Sequence, residues 1–390
     1  MAELAELLSE LVETPGVSKH EELIGNLVAG KMEPNVDRVF RDDYTPAPNV
    51  LAEKKGKSGK YKLVVDYHID QIGLEVNGVR DDGLLEVRSM GGMGRLDGCD
   101  FDIYTPKGKL NGKVKRGITS PYPSPDWDED RNAIVEGIGM VDTLRPIGSG
   151  TKNSLTSYGL LLEVEGIESK ADAENAGIQV GQQAIYSMNE KKTDGTTFTS
   201  PAMDDRVGAA IGIESANGLK KIKTKSTVLY AGTVQEELGL YGAAHVAKNA
   251  ANGYDVAIAL DVSYANLQAK PGEGPILLLR DAYMRIDPKA KYLLEEAARR
   301  EGIRLQEQEI SGGATNAARY KSAGIAAGTL AIPTQYIHSE KETLDLRDVK
   351  AAVKVLNRAI VDSEDILDSY AKETPVSGGY RNPIRARKTL

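Results

Sequence analysis

The chain has 390 residues, enough to bury a large core and to form two or three domains. Its formal net charge of −8 gives no support to nucleic-acid binding, and no apolar stretch approaches the ~20 residues that a membrane helix needs. Cys99 is the only cysteine, which excludes an intrachain disulfide and a cysteine-rich metal site. The N-terminus lacks the basic start of a signal peptide, so we expect a cytoplasmic enzyme or binding protein.

The first part of the chain is predicted to form two helices and a strand, followed by a β-rich region. Leucine and glutamate at helical spacing predict helices over residues 3–13 and 20–31. The apolar and β-branched run over residues 60–76 predicts one strand. Short β-like runs divided by glycine- and aspartate-containing turns predict a small β domain over residues 77–198. Its proline-rich stretch 118–130 is expected to be a loop.

Predicted strands and helices alternate in the second half of the chain. This alternation favours a mostly parallel α/β sheet with helices on both faces. The earlier strand has the same character, so residues 1–76 and 199–373 are predicted to form one α/β domain into which residues 77–198 are inserted. The last predicted helix covers residues 346–371. Residues 374–390 contain four basic residues and no acidic ones, so we expect a flexible tail there, with a subunit contact as the alternative.

Charged side chains collect where the predicted strands end or where the next helix begins, which is where parallel α/β sheets bind ligands. They are His68, Asp70, Asp204, Asp205, Glu236, Glu237, Asp261 and His338. Two histidines and several carboxylates form a ligand set that suits zinc, cobalt or manganese. There is one carboxylate too many for a single tetrahedral ion. The pattern therefore predicts two divalent ions about 3.5–4 Å apart that share a bridging carboxylate.

The adjacent Glu236 and Glu237 follow an apolar strand, although neighbouring carboxylates repel each other and glutamate is seldom buried. Adjacent residues at a strand end point in different directions, so one can bind a metal ion while the other accepts a proton from the attacking water. His68 and Asp70 are two positions apart and share a face in extended chain. Asp70 is therefore predicted to accept the proton of the far ring nitrogen of His68.

Five ordered motifs resemble those of the TET-type (glutamyl or deblocking) di-metal aminopeptidases, over nearly the whole chain. They are YHIDQIG, MDDRVG, TVQEELGLYGA, ALDVSYA and YIHSEKETLDLRDV. The resemblance implies a di-zinc exopeptidase-like sheet with an inserted β-barrel or PDZ-like dimerisation domain. It also implies two zinc, cobalt or manganese ions per subunit and short peptides as substrates. Dimers would assemble into a tetrahedral homododecamer.

The resemblance also assigns roles to individual residues. His68, Glu237, Asp261 and His338 would be ligands of one ion or the other, Asp204 would bridge both ions, Glu236 would be the general base, and Asp70 would orient His68. Asp204 is preferred to Asp205 as the bridge because the related motif has a glycine four residues later, here Gly208. Asp205 is then free to cap the following helix.

One turn departs from the family pattern. The family has a Gly-Gly-Thr-Asp-Ala type turn, whereas this chain reads GGATNAARY, with Asn316 where an acid is expected. The turn that contains Gly312, Gly313 and Asn316 is predicted to line the substrate pocket, where the change would affect substrate choice or efficiency.

The sequence predicts an aminopeptidase but leaves alternatives. The same two-ion centre could serve a carboxypeptidase or an N-acyl amide hydrolase. From a different class, the chain could be a non-catalytic assembly protein that kept the fold. The altered turn at Asn316 favours this last alternative, and the intact pair of Glu236 and Glu237 argues against it.

Overall fold

The computed structural model describes residues 1–94, 96–116, 160–250 and 253–374. The predicted loop over 118–130 and the predicted tail beyond residue 374 lie outside them. Within the described residues, strands form a large mixed sheet, a closed barrel and a small antiparallel sheet. The strands are β1 (Arg38–Arg41), β2 (Val50–Lys54), β3 (Lys62–His68), β4 (Gly73–Val79), β5 (Leu85–Met90), β6 (Asp100–Thr105), β7 (Gly108–Arg116), β8 (Leu160–Val164), β9 (Gln183–Tyr186), β10 (Lys192–Asp194), β11 (Thr197–Thr199), β12 (Thr227–Thr233), β13 (Val256–Tyr264), β14 (Ile276–Arg280), β15 (Gln306–Glu309), β16 (Ala326–Thr334) and β17 (Thr343–Asp345).

Helices alternate with these strands over most of the second half of the chain. They are α1 (Ala2–Glu13), α2 (Glu22–Met32), α3 (Lys170–Ala176), α4 (Met203–Leu219), α5 (Tyr241–Ala250), α6 (Pro288–Glu301), α7 (Ala317–Ser322), α8 (Leu346–Val361) and α9 (Ser363–Glu373). Among the described residues, none of them combines the length and the hydropathy needed to cross a membrane.

The large sheet has the strand order β1-β2-β12-β3-β13-β16-β14-β15. Its central strands β12, β3, β13 and β16 are parallel. Strand β2 runs antiparallel to β1 and β12, and β14 runs antiparallel to β16 but parallel to β15. The predicted mixed, mostly parallel sheet is therefore confirmed. The carboxyl ends of the four central strands meet at one edge, which is the edge where ligands bind in such sheets.

The two faces of β3 are covered by different helices. Leu63, Val65 and Tyr67 pack in a core with α1, α4, α6 and α8, whereas Val64 packs with α5 and α7 on the opposite face. Side chains two positions apart in a strand share a face. His68 is four positions after Val64 in β3, so its side chain lies on the same face of the sheet as α5 and α7, at the carboxyl end of the strand.

The inserted segment forms the closed barrel, in the order β4-β5-β8-β7-β6-β9. The barrel has its own buried core, in which the rings of Phe101 and Tyr186 stack with centroids 4.6 Å apart. The prediction of an inserted small β-barrel is confirmed.

Two predicted elements are each divided in the structure. The single strand predicted over residues 60–76 is β3 and β4. The amide of Ile69 still donates to the carbonyl of Thr233 in β12, whereas the amide of Gln71 donates to the carbonyl of Gly16, outside the sheet. The single helix predicted over residues 346–371 is α8 and α9. They meet at Ser363, whose hydroxyl bonds to Ser226.

Replacement of Gly212 by alanine tests the packing of α4 on β3. A Cβ at Gly212 would lie 2.3 Å from Cε1 of Tyr67, so Gly212→Ala should lower the free energy of unfolding by about 1–3 kcal/mol. Gly30→Ala in α2 is the matched control. A Cβ there meets nothing within 4 Å, and the variant should be about 0.4–1 kcal/mol more stable than wild type. Guanidinium unfolding followed by circular dichroism measures both, and a Gly212→Ala variant as stable as wild type would contradict this packing.

Candidate metal centre

The side chains predicted at the strand ends lie together in the structure. His68 ends β3, Glu236 and Glu237 follow β12, Asp261 lies in β13, and His338 follows β16. Asp204 joins them from the start of α4, where the backbone of Asp204 and Asp205 departs from helical geometry. The ligand atoms form three groups in which all atoms lie within 4.8 Å of one another: His68, Glu236 and Glu237; His68, Asp204 and Asp261; and Asp204, Glu237 and His338.

Asp204 is the side chain whose two oxygens face the two histidines of the cluster. Its Oδ1 lies 2.9 Å from Nε2 of His68, and its Oδ2 lies 3.2 Å from Nε2 of His338. Nε2 of His338 also lies 3.3 Å from Oε1 of Glu237. One carboxylate thus faces two different sets of partners with its two oxygens, which is the arrangement of a bridging ligand.

The cluster concentrates buried charge. Burial raises the pKa of Asp261 well above its ordinary value, and the nearby Asp204 charge adds to the rise. Burial also raises the pKa of Glu236, with Glu237 adding to the effect and His68 opposing it. Burial works against the charged form of His338, yet Glu237 and Asp204 raise its pKa well above its usual range. Protons or cations must therefore balance the carboxylates here.

Asp70 holds the glutamate segment in place through its backbone. Its fully buried carboxylate accepts hydrogen bonds from the amides of Glu236 and Glu237 at 3.0 and 3.3 Å, and from the Ser18 hydroxyl at 2.6 Å. The ring Nδ1 of His68 lies 3.1 Å from the Asp70 carbonyl oxygen and 3.4 Å from its carboxylate. These contacts support the predicted role of Asp70 in orienting His68.

Glu342 is a buried residue that the sequence did not single out. Its two carboxylate oxygens accept hydrogen bonds from the amides of Asp204, at 2.9 Å, and of His338, at 2.6 Å. Burial raises the pKa of Glu342 to about 8, and the Asp204 charge adds to the rise. Glu342 therefore ties together two segments that carry cluster residues. Its spacing four residues after His338 is the one signal in the sequence.

Glu21 is another buried carboxylate that binds the backbone next to the cluster. Its carboxylate accepts a hydrogen bond from the amide of Gln235, at 3.1 Å, next to the glutamate pair. Burial raises the pKa of Glu21 to about 8, and the Asp70 charge adds to the rise. Glu21 lies at the start of α2, in a segment with no sequence pattern that points to a site.

Asp205 is placed differently from its neighbour. Its carboxylate accepts hydrogen bonds from the amide of Gly208, at 2.9 Å, and from the amide of His68, at 3.3 Å. The first of these bonds caps the regular part of α4, which begins after the non-helical backbone of Asp204 and Asp205. A Cβ at Gly208 would lie only 2.3 Å from the Asp205 carboxylate, so a residue with a side chain cannot occupy this position without displacing it.

Gly313, in the turn that also contains Gly312, contacts the segment that follows β14. The carbonyl of Gly313 accepts a hydrogen bond from the amide of Ala282, just beyond β14. Since β14 runs antiparallel to β16, its carboxyl end lies toward the edge of the sheet opposite to the cluster. The contact of Gly312, Gly313 and Asn316 with substrate stays a prediction.

Asn316 is buried against a carboxylate. Its Nδ2 donates to Oδ1 of Asp66 at 2.7 Å and to the Thr233 hydroxyl at 2.9 Å, and the Tyr320 hydroxyl donates to the other oxygen of Asp66 at 2.6 Å. Burial raises the pKa of Asp66 to about 6, although the Tyr320 and Asn316 hydrogen bonds oppose the rise. An acid at position 316 would face Asp66 directly, so the amide is the residue type that this contact requires.

The residues present fit divalent cations. They offer imidazole nitrogens and carboxylate oxygens, the ligands preferred by zinc, cobalt and manganese. Oε1 of Glu237 is buried and has no well-aligned hydrogen-bond donor among the described residues, although it lies within ion-pair distance of His338. A buried carboxylate oxygen in this state is available to a cation.

The fold and the cluster together define the class of the protein as a metal-dependent hydrolase. Residues 48–133 and 149–355 match the family described as M42 glutamyl aminopeptidase. The chain belongs to this family and is a metalloaminopeptidase.

Individual relatives match over almost their full length. The lysyl aminopeptidase of Pyrococcus furiosus is 30% identical over 376 residues, which cover 93% of this chain and 98% of that protein. The structure of an aminopeptidase from the archaeon Desulfurococcus kamchatkensis matches with a TM-score of 0.78 at 29% identity, over 94% of this chain and 97% of that one. The TET1 peptidase of Pyrococcus horikoshii, which can assemble into a tetrahedron or a large octahedral shell, matches with a TM-score of 0.73 at 25% identity, over 92% and 99% of the two chains.

An exchange of residues tests the contact between Asp66 and Asn316. Asn316→Asp should destabilise the protein by about 3–5 kcal/mol, because it places a second carboxylate in a buried site. The double variant Asp66→Asn with Asn316→Asp keeps one carboxylate and one amide. Its unfolding temperature should recover most of the decrease caused by Asn316→Asp alone. Thermal unfolding of both single variants and the double variant gives the coupling energy, expected to be at least about 1 kcal/mol. Additive losses would contradict the contact.

Proposed function

We propose that this M42-family enzyme releases N-terminal residues from short peptides with two divalent ions held at the candidate metal centre. The observation that carries the proposal is the position of Asp204, whose Oδ1 lies 2.9 Å from Nε2 of His68 and whose Oδ2 lies 3.2 Å from Nε2 of His338. His68 and Asp261 would complete the set around one ion, and Glu237 and His338 the set around the other. Zinc, cobalt and manganese all suit these ligands.

Divalent ions in such a centre lower the pKa of water toward neutrality and polarise the peptide carbonyl. Glu236 is the residue best placed to move the proton. Its carboxylate lies 3.9 Å from Nε2 of His68, farther than the 2.9 Å that separates His68 from Asp204. We assign it to accept the proton of the attacking water and to deliver it to the leaving amine.

The remaining residues keep this arrangement rigid. Asp70 fixes the backbone of both glutamates, and Glu342 fixes the backbone of Asp204 and His338. Side chains that are held before substrate arrives lose less conformational freedom in the reaction.

We also propose that the subunits assemble through the barrel as dimers, which build a tetrahedral dodecamer. The support comes from the TET1 peptidase of Pyrococcus horikoshii, which can assemble into a tetrahedron and matches nearly the whole chain. The single cysteine of the chain fits a cytoplasmic location.

The reaction is tested with one peptide in two forms. Purified enzyme loaded with zinc, cobalt or manganese should release the first residue of a free-amine peptide, and a chelator should abolish the release. The N-acetylated form of the peptide should remain intact. Hydrolysis of the acetylated form would instead indicate an N-acyl amide hydrolase, release from the other end a carboxypeptidase, and no chelator-sensitive hydrolysis a non-catalytic assembly protein.

Replacement of the proposed base separates proton transfer from metal binding. Glu236→Gln keeps the size of the side chain but removes the acceptor, so kcat should fall by about 10²–10⁴-fold. The metal content, measured by elemental analysis, should stay at the wild-type value. His68→Ala is the comparison, since it should lower the metal content. A Glu236→Gln variant with wild-type turnover would refute the assignment.

A further inference from the structure

The barrel contacts the metal centre directly. Gly91 follows β5 of the barrel and has a φ of +91°. A Cβ at this position would lie 3.2 Å from Cβ of Glu237, 3.4 Å from Oε2 of Glu237 and 2.7 Å from Cγ2 of Ile72. The backbone of Gly91 therefore lies against the side chains of Glu237 and Ile72, and its positive φ together with the 2.7 Å approach to Ile72 favours glycine here.

The next residue of the glutamate segment also packs on the barrel. Leu238 contacts a small apolar cluster formed by Met90 and Ile185 of the barrel together with Val17. Met90 is the last residue of β5 and Gly91 follows it, so two neighbouring residues of the barrel lie against Leu238 and Glu237. Two adjacent residues of the glutamate segment are thus held by two adjacent residues of the inserted domain.

A second segment near the centre lies beside the same part of the barrel. Cys99, between β5 and β6, is next to Glu340, which lies two residues after His338. Glu237 and His338 form one ligand group with Asp204, and His68 and Asp261 form the other. The barrel therefore approaches the half of the cluster that contains Glu237 and His338.

Glu237 needs such support because few polar contacts fix its side chain. Its carboxylate lies near His338, and Oε1 has no well-aligned hydrogen-bond donor among the described residues. A glutamate side chain loses about 1.5–2 kcal/mol of rotamer entropy when it is fixed. A neighbouring backbone that already restricts the rotamers of Glu237 reduces the entropy that is lost when a cation binds.

We infer that the Met90–Gly91 segment of the barrel is a positioning element for Glu237 and sets the affinity of the ion held by Glu237 and His338. The inserted domain then has a role at the metal centre besides its proposed role in assembly. The inference rests on the proposed two-ion function and adds that one ion depends on the barrel more than the other.

Two glycines of the connection between β5 and β6 provide the test. Gly91→Ala adds a methyl group against Glu237 and Ile72, whereas Gly98→Ala is the control for backbone strain. Gly98 also has a positive φ, of +81°, but a Cβ there meets nothing within 4 Å. Both alanines strain the backbone in a similar way, so an effect of strain alone should appear in both variants.

The zinc content of the purified holoenzymes is measured by elemental analysis after dialysis against graded free zinc. Wild type and Gly98→Ala should each release their two ions over the same range. Gly91→Ala should release one ion per subunit at about 10–100-fold higher free zinc and retain the other as wild type does. Its kcat should fall with the loss of that ion.

Equal zinc retention by Gly91→Ala and wild type would overturn the inference, and so would an equal loss in Gly98→Ala. Leu238→Ala decides the matter if Gly91→Ala does not fold, because it shortens the barrel contact without straining the backbone. It should show the same selective loss of one ion, and wild-type retention would overturn the inference. A wild-type protein that holds fewer than two ions would refute the proposed function itself.

Discussion

The shared carboxylate of Asp204 is the contact on which the rest of the centre depends. It lies within 3.2 Å of both His68 and His338, which come from strands on different sides of β13. The parallel arrangement of the central strands brings their carboxyl ends to the same edge, and the irregular start of α4 places Asp204 between them. Several carboxylates are thereby forced together in a buried place, a combination that is unfavourable unless cations or protons compensate it.

A second set of buried acids holds the backbone beneath the cluster. Asp70 accepts hydrogen bonds from the amides of Glu236 and Glu237, Glu342 from those of Asp204 and His338, and Glu21 from that of Gln235. The segments that carry the cluster are therefore fixed by main-chain contacts, and the side chains remain available for ions. The arrangement is rigid because each acid joins segments that are distant in the sequence.

The sequence predicted the fold class and the members of the cluster because both depend on regular patterns. Alternating strands and helices indicate a parallel sheet, and the strand ends mark its binding edge. Glu342, Glu21 and Gly91 carry no such pattern, since their contacts come from segments that meet only in the folded chain. The contact between Asn316 and the buried Asp66 cannot be read from one sequence, and the substrate role of Asn316 stays a prediction.

The order of the elements along the chain also has a consequence for biosynthesis. His68 and Asp204 are 136 positions apart, with the barrel between them, and His338 comes later still. A nascent chain therefore cannot complete the centre until nearly all of it has left the ribosome, and contacts of such long range form slowly. During translation the barrel can fold as a unit before the sheet edge that it supports is closed.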